Sequence, residues 1–195
     1  MKKLFLVMTV ICMFAGMAFA LTPQEIQGAK IGEGFVLFKA EKWAEAEVKY
    51  REAEKIEYEG YQSTLCYSLG YCLERQGKFE EAIAEYKKCL NIPERFIGRA
   101  SCESIRARCF VRVGNLYQKE LNDKAKAQEA YLQALKFKNA DPAILTKVVS
   151  DYLDKAYLGK AKYIEALEGV LLITNATEEN AEFLGVVKSE IEKLR

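Results

Sequence analysis

Three stretches of the chain carry one pattern, and this repetition limits the fold more than any single residue does. Gly34, Gly70 and Gly114 are followed by Ala46, Ala82 and Ala127, then by Tyr50, Tyr86 and Tyr131, then by Ala53, Cys89 and Ala134. Within each stretch the alanine-to-tyrosine step is four and the next step is three, which traces one face of an α-helix over two turns. The glycine lies twelve residues before the alanine in the first two stretches and thirteen in the third, on a preceding helix. From unit to unit the alanines are 36 and then 45 residues apart. The pattern predicts a row of helical hairpins. Small residues at Gly34/Ala46 and Gly70/Ala82 let the paired helices approach, and Tyr50, Tyr86 and Tyr131 fill the wedge between hairpins. Gly77 supplies the turn before Phe79, and Pro93 and Pro142 fall just after helix ends, where proline is tolerated.

These residues resemble the tetratricopeptide repeat (TPR) family, with its W-x2-L-G-x2-Y, A-x3-F and A-x4-P blocks. Leu69-Gly70, Gly77-Lys78-Phe79, Ala82-Ile83, Tyr86 and Leu90 carry the match in the second unit. Gly34, Trp43, Ala46, Tyr50 and Ala53 carry it in the first, and Gly114, Tyr117, Ala127, Tyr131, Ala134 and Leu135 in the third. A fourth, degenerate unit fits Leu153, Tyr157, Tyr163, Ala166, Val170 and Ile173, with Asp154 in place of the small first-helix residue. The resemblance implies an all-α fold, a right-handed α-solenoid of three clear hairpins plus one degenerate hairpin. Its units fall at about 27–60, 63–96, 103–140 and 143–174. Two extra residues lie near Glu57 to Gln62, and about ten near Pro93 to Ser101 either lengthen the third unit's first helix or form a surface loop. Asn175-Ala176-Thr177 reads as a turn. Ala181, Leu184, Val187, Ile191 and Leu194 then place a capping helix at about 178–194, with Thr177 as its N-cap.

Residues 1–20 read as a secretory signal. Met1-Lys2-Lys3 is a basic start, Leu4 to Ala20 carry no charge, and Ala18-Phe19-Ala20 has the small residues of a cleavage site. Cleavage after Ala20 leaves a single domain over 21–195, in the periplasm or secreted from a bacterium. The competing reading is a retained anchor, in which case the membrane is touched through the uncleaved signal. Without Lys2 and Lys3, 27 basic residues face 28 acidic ones, and all the methionines are gone. This balance lacks the basic excess of a nucleic-acid binder.

The chain contains no histidine, so no Ser-His-Asp triad, Cys-His dyad or imidazole-held metal can form. No phosphate loop, nucleophile elbow or metal motif occurs either. We therefore expect no catalytic residues, no metal and no cofactor. Five cysteines follow the signal: Cys66, Cys72, Cys89, Cys102 and Cys109. Most sit at packing positions as small apolar residues. Export permits bridges, with Cys66–Cys89 the best pairing and Cys89 to Cys102 or Cys109 the alternative.

The TPR resemblance implies that a peptide or protein segment binds along a concave face built by the first helices. The positions so mapped are Ile31, Phe35, Phe38 and Lys39, then Tyr67, Tyr71, Glu74 and Arg75, then Arg108, Asn115, Gln118 and Lys119, with Asp151 and Lys155 from the fourth unit. An aromatic first half thus meets a mostly basic second half, suited to a segment with apolar anchors and an acidic or carboxylate end. In a second reading the aromatics pack under the N-terminal segment Leu21 to Lys30. The functional expectation is a non-enzymatic interaction scaffold of the cell envelope that binds a partner polypeptide and no nucleic acid. Its alternative is a self-associating structural module of an envelope complex.

Overall fold

The computed structural model describes residues 21–92, 99–137, 139–173, 178 and 181–195. The expected export signal at 1–20, residues 93–98 of the insertion, and the expected turn at Asn175-Ala176-Thr177 with its capping threonine lie outside them. Among the described residues the chain is helical throughout. The first hairpin pairs α1 (Pro23–Lys39) with α2 (Trp43–Glu54), and the second pairs α3 (Gln62–Arg75) with α4 (Phe79–Leu90). The third pairs α5 (Arg99–Lys119) with α6 (Lys124–Ala134). The fourth opens with α7 (Pro142–Lys147) and a π-helical turn at Val148–Tyr152, then a short α8 (Lys155–Leu158) and α9 (Lys160–Ile173). Helix α10 (Ala181–Leu194) closes the row. Each helix packs chiefly on its neighbours in sequence, as a solenoid requires. This is the expected all-α solenoid of three regular hairpins, one degenerate hairpin and a closing helix.

The hairpins are held by a glycine set against a tyrosine. A Cβ built on Gly34 would lie 2.7 Å from the Tyr50 ring, and one on Gly70 would lie 2.7 Å from the Tyr86 ring. Gly114 meets Tyr131 in the same way. The close approach is therefore glycine to ring within a hairpin, not glycine to alanine as the sequence suggested. Ala46, Ala82 and Ala127 are fully buried beside this contact. The tyrosines also reach forward: Tyr86 shares its core with Cys109, Val113 and Leu116 of the next unit.

The turns between paired helices repeat as well. Glu41, Gly77 and Asn122 occupy corresponding positions, and all three have positive φ, at 57°, 77° and 49°. Only the glycine adopts that conformation without strain. Helix α1 begins four residues before the expected start of unit one, because Thr22 and Glu25 form a capping box around Pro23. The Glu25 Oε2 accepts from the Thr22 amide at 2.8 Å. That Thr-x-x-Glu signal stands in the sequence and supplies the missing start.

Four further expectations need correction. Pro142 does not merely follow a helix; it opens α7, with Asp141 as N-cap. In the fourth unit Tyr163 and Val170 are buried on α9 as expected, but the fully buried residue between them is Leu167, and Ala166 is only half-buried. Asp154 does not replace a helix-packing glycine. It caps α8 by accepting from the Tyr157 amide at 2.9 Å. In α10 the buried set is Phe183, Leu184, Val187, Ile191 and Leu194, and Ala181 is exposed. The first helix of unit four ends early because Gln128, itself buried, holds both sides of the break. Its amide donates to the Tyr152 carbonyl at 2.9 Å, and its oxygen accepts from the Asp154 amide at 2.9 Å.

Cys66 and Cys89 form a disulfide between α3 and α4, with Cα atoms 5.8 Å apart. Cys72 and Cys109 are buried free thiols, both pushed by burial up to about 12. The Cys102 side chain lies outside the described set.

Two tests follow from this packing. Gly70→Ala is expected to cost about 1–3 kcal/mol, because the added methyl meets a buried ring. Gly32 lies mid-helix with nothing within 4 Å of an added Cβ, so Gly32→Ala is expected to stabilise by about 0.5–1 kcal/mol; urea unfolding midpoints compare the two. In Cys102→Ser protein at pH 8, iodoacetamide is expected to leave Cys72 and Cys109 unlabelled until denaturant is added, since only the thiolate reacts. Cys66 and Cys89 should label only after reduction as well, as read by peptide mass spectrometry.

Candidate protein-binding groove

Eight of the mapped residues fall into two groups that touch. The first is an aromatic patch at the open end of the solenoid. Phe38 lies 5.1 Å from both the Trp43 and Tyr71 rings, and Trp43 lies 5.6 Å from Tyr71. Phe35 stacks on Phe38 at 6.4 Å and remains half exposed, at 51%. Arg75 covers the Trp43 ring at 5.3 Å. Residues 23–30 belong to α1 itself, and exposed Phe35 shows that they do not fold over the aromatics. The covering role suggested for Leu21 to Lys30 is therefore corrected. Trp43 belongs to this patch although it opens a second helix, which is why mapping from first helices missed it.

The second group lies between successive first helices. Tyr67 of α3, Arg108, Val111, Arg112, Asn115 and Lys119 of α5, and Ala143, Ile144 and Lys147 of α7 line a cleft of about 470 Å³, closed by Tyr152. Four of the mapped residues (Tyr67, Arg108, Asn115 and Lys119) thus share one cleft. Arg112 and Lys147 were missed. The unit-four positions mapped instead, Asp151 and Lys155, do not line this cleft, because the π-turn and the break after Tyr152 shift the frame. The cleft lining has four cationic side chains and no carboxylate.

Arg112 joins the two groups. Its guanidinium sits over the Tyr71 ring, 4.7 Å from the centroid, and donates to Glu74 Oε1 at 3.2 Å. Glu74 Oε2 also accepts from the Tyr86 hydroxyl at 2.8 Å. Burial is the largest single influence on Arg112 and works against its charge, but Glu74 together with Tyr67 and Tyr86 outweighs it, and the guanidinium is held above its ordinary value. Burial, then Glu74, push the Tyr86 phenol up as well. The packing tyrosine of unit two, the groove arginine and the aromatic patch are thus one connected network. In unit three the Tyr131 hydroxyl lies 2.8 Å from Asn115 Oδ1 and 2.9 Å from Gln118 Oε1, which share its one proton, and the Asn115 amide nitrogen is the end it can offer a ligand.

Two stretches, residues 63–96 and 107–141, match the tetratricopeptide repeat model. Units two and three are tetratricopeptide repeats. The matches coincide with the hairpins α3–α4 and α5–α6, and the whole row is a TPR-like solenoid. Units one and four lie outside the matched stretches, although unit one keeps the same glycine–tyrosine contact. No curated protein matches the chain. TPR repeats generally mediate protein–protein interaction, and proteins built from them are typically non-catalytic scaffolds. Among the described residues no helix is long and apolar enough to cross a membrane.

Glu74→Ala removes the acceptor for Tyr86 and the partner of Arg112 together. It is expected to cost about 1–3 kcal/mol, because a partly buried charge and a buried hydroxyl are left unpaired. Glu74→Gln keeps one acceptor oxygen and should cost less; thermal unfolding of the two variants checks the order.

Proposed function

We propose that the chain is a non-enzymatic protein–protein interaction scaffold of the bacterial cell envelope, holding a partner polypeptide segment along its first helices. One observation carries this reading. A half-buried aromatic patch with Phe35 exposed runs without a break, through Arg112 over Tyr71, into a cationic cleft lined by three successive first helices. Aromatic anchors beside polar, oriented side chains are the composition of interfaces that bind tightly. The uncharged run behind a basic start and the Ala-x-Ala site support export, with Leu21 as the first residue of the exported chain.

The second reading is a self-associating module of an envelope complex. It is favoured by Leu21, Phe35 and Val36, which leave helix α1 apolar and exposed at 64%, 51% and 68% at the end of the row. Solenoid ends that expose apolar surface need a cover. Light scattering on the exported protein separates the readings, since self-association requires a stable oligomer.

A photo-crosslinking residue at Lys119 or Lys147 is expected to trap a discrete envelope protein in living cells. Tyr71→Ala with Arg75→Ala should abolish that adduct while circular dichroism stays unchanged. An adduct that persists at full yield with both residues changed would remove the groove from the proposal. Amino-terminal sequencing of the exported protein should begin at Leu21.

A further inference from the structure

The groove does not end at its cationic cleft. A second cavity, of about 760 Å³, is lined by Asp141, Pro142, Ala143, Thr146, Lys147, Ser150 and Asp151 from unit four and by Glu182, Phe183 and Val186 from α10. It shares Ala143 and Lys147 with the cationic cleft, so the two abut. Their charges are opposite. The first cavity has Arg108, Arg112, Lys119 and Lys147 with no carboxylate, and the second has Asp141, Asp151 and Glu182 against Lys147 alone.

Some of this charge is already matched. Arg112 is paired with Glu74, and Arg108 lies 3.7 Å from Asp141 across the boundary. Lys119 and Lys147 on one side, and Asp151 and Glu182 on the other, have no ion pair among the described residues. All four are exposed. The unmatched charge therefore has one sign in the centre and the other at the C-terminal end. Phe183 forms part of the apolar floor of the second cavity, and Val186 is 40% exposed.

Resting on the groove reading above, we infer that the partner segment carries three sections in fixed order. An apolar or aromatic section lies on Phe35, Phe38 and Tyr71. An acidic section lies on Lys119 and Lys147, and a basic section lies on Asp151 and Glu182. Each section meets its complement only in that order. Exchanging the charged sections sets like charges against like, a repulsion that salt screens beyond about 8 Å at physiological ionic strength. The groove thus selects by charge order as well as by composition, and rejects a segment of equal net charge and wrong order.

The test uses fluorescein-labelled synthetic peptides of about fifteen residues, long enough when extended at ~3.3 Å per residue to cross all three sections. All have one composition: a Trp/Leu block, an Asp/Glu block and a Lys/Arg block. One set has the acidic block in the centre and the other has the basic block there. Each is made in both chain directions, because the groove orders the sections and not the chain polarity. Anisotropy at low salt should show the acid-centred peptide, in one direction, binding about tenfold tighter than either basic-centred peptide. Lys119→Glu with Lys147→Glu should erase that preference, as should Asp151→Lys with Glu182→Lys, because each leaves both sections with one sign; all four changes together should reverse it. All four positions are exposed, and circular dichroism checks that the variants fold. Equal binding of the two orders, or a preference that the double variants leave intact, overturns the inference. If Tyr71→Ala still weakens both orders equally, the groove stands and only the charge order fails. If no peptide responds to Tyr71→Ala, the groove reading fails with it.

Discussion

A glycine pressed against a tyrosine ring is the contact on which the rest of this molecule depends. At Gly34, Gly70 and Gly114 a side chain of even one carbon would occupy the space of the opposing ring. With the glycine in place, the ring of Tyr50, Tyr86 or Tyr131 packs against that glycine's helix and is excluded from water. Such packing is dense and shape-specific, so it sets how closely the helices pair. Repeated three times, one local geometry becomes a row, and the row aligns its first helices along one side. The weakening of the pattern in unit four has a visible result. There the first helix ends in a π-turn and a break, bridged by Gln128 and stacked upon by Tyr131, whose ring lies 5.1 Å from that of Tyr152.

The same tyrosines tie the core to the candidate site. Their rings serve packing, and their hydroxyls reach polar groups at the edge of the groove: Tyr86 meets Glu74, and Tyr131 meets Asn115. Glu74 in turn holds Arg112 over Tyr71. Groove side chains are thus positioned by the contacts that hold the hairpins, and less ordering is left for a ligand to bring about on binding. The disulfide between α3 and α4 constrains the one unit that contributes to both the aromatic patch and the cationic cleft. By limiting the unfolded chain it favours the hairpin independently of the glycine contact.

Much of this was legible from spacing alone, because a helical face repeats every three to four residues and the three clear units repeat that face. The hairpins followed from Gly34, Gly70, Gly114 and their partners, and the closing helix from the spacing of Leu184, Val187, Ile191 and Leu194. What spacing could not show was which atoms meet. It paired glycine with alanine, whereas the geometry pairs glycine with tyrosine; the two partners lie on the same helical face, one turn apart. The eight groove residues were found from a register that holds for units one to three. Arg112 escaped because its role depends on Glu74 and Tyr71, which sit on a different helix. Lys147 escaped because α7 gives way to a π-turn, and no sequence rule marked where the helical register would slip. The capping box at Thr22 and Glu25, by contrast, was plain in the sequence and extends α1 past its expected start.

The central claim is that a partner lies along the first helices and leaves the second helices free. Hydrogen exchange compares the protein alone with its crosslinked partner complex, because amides shielded by a partner exchange more slowly. Slowed exchange is predicted in peptides spanning residues 62–75, 104–119 and 142–152, with little change across 79–90 and 124–134. Slowing confined to those second helices, with the first helices unaltered, would contradict it.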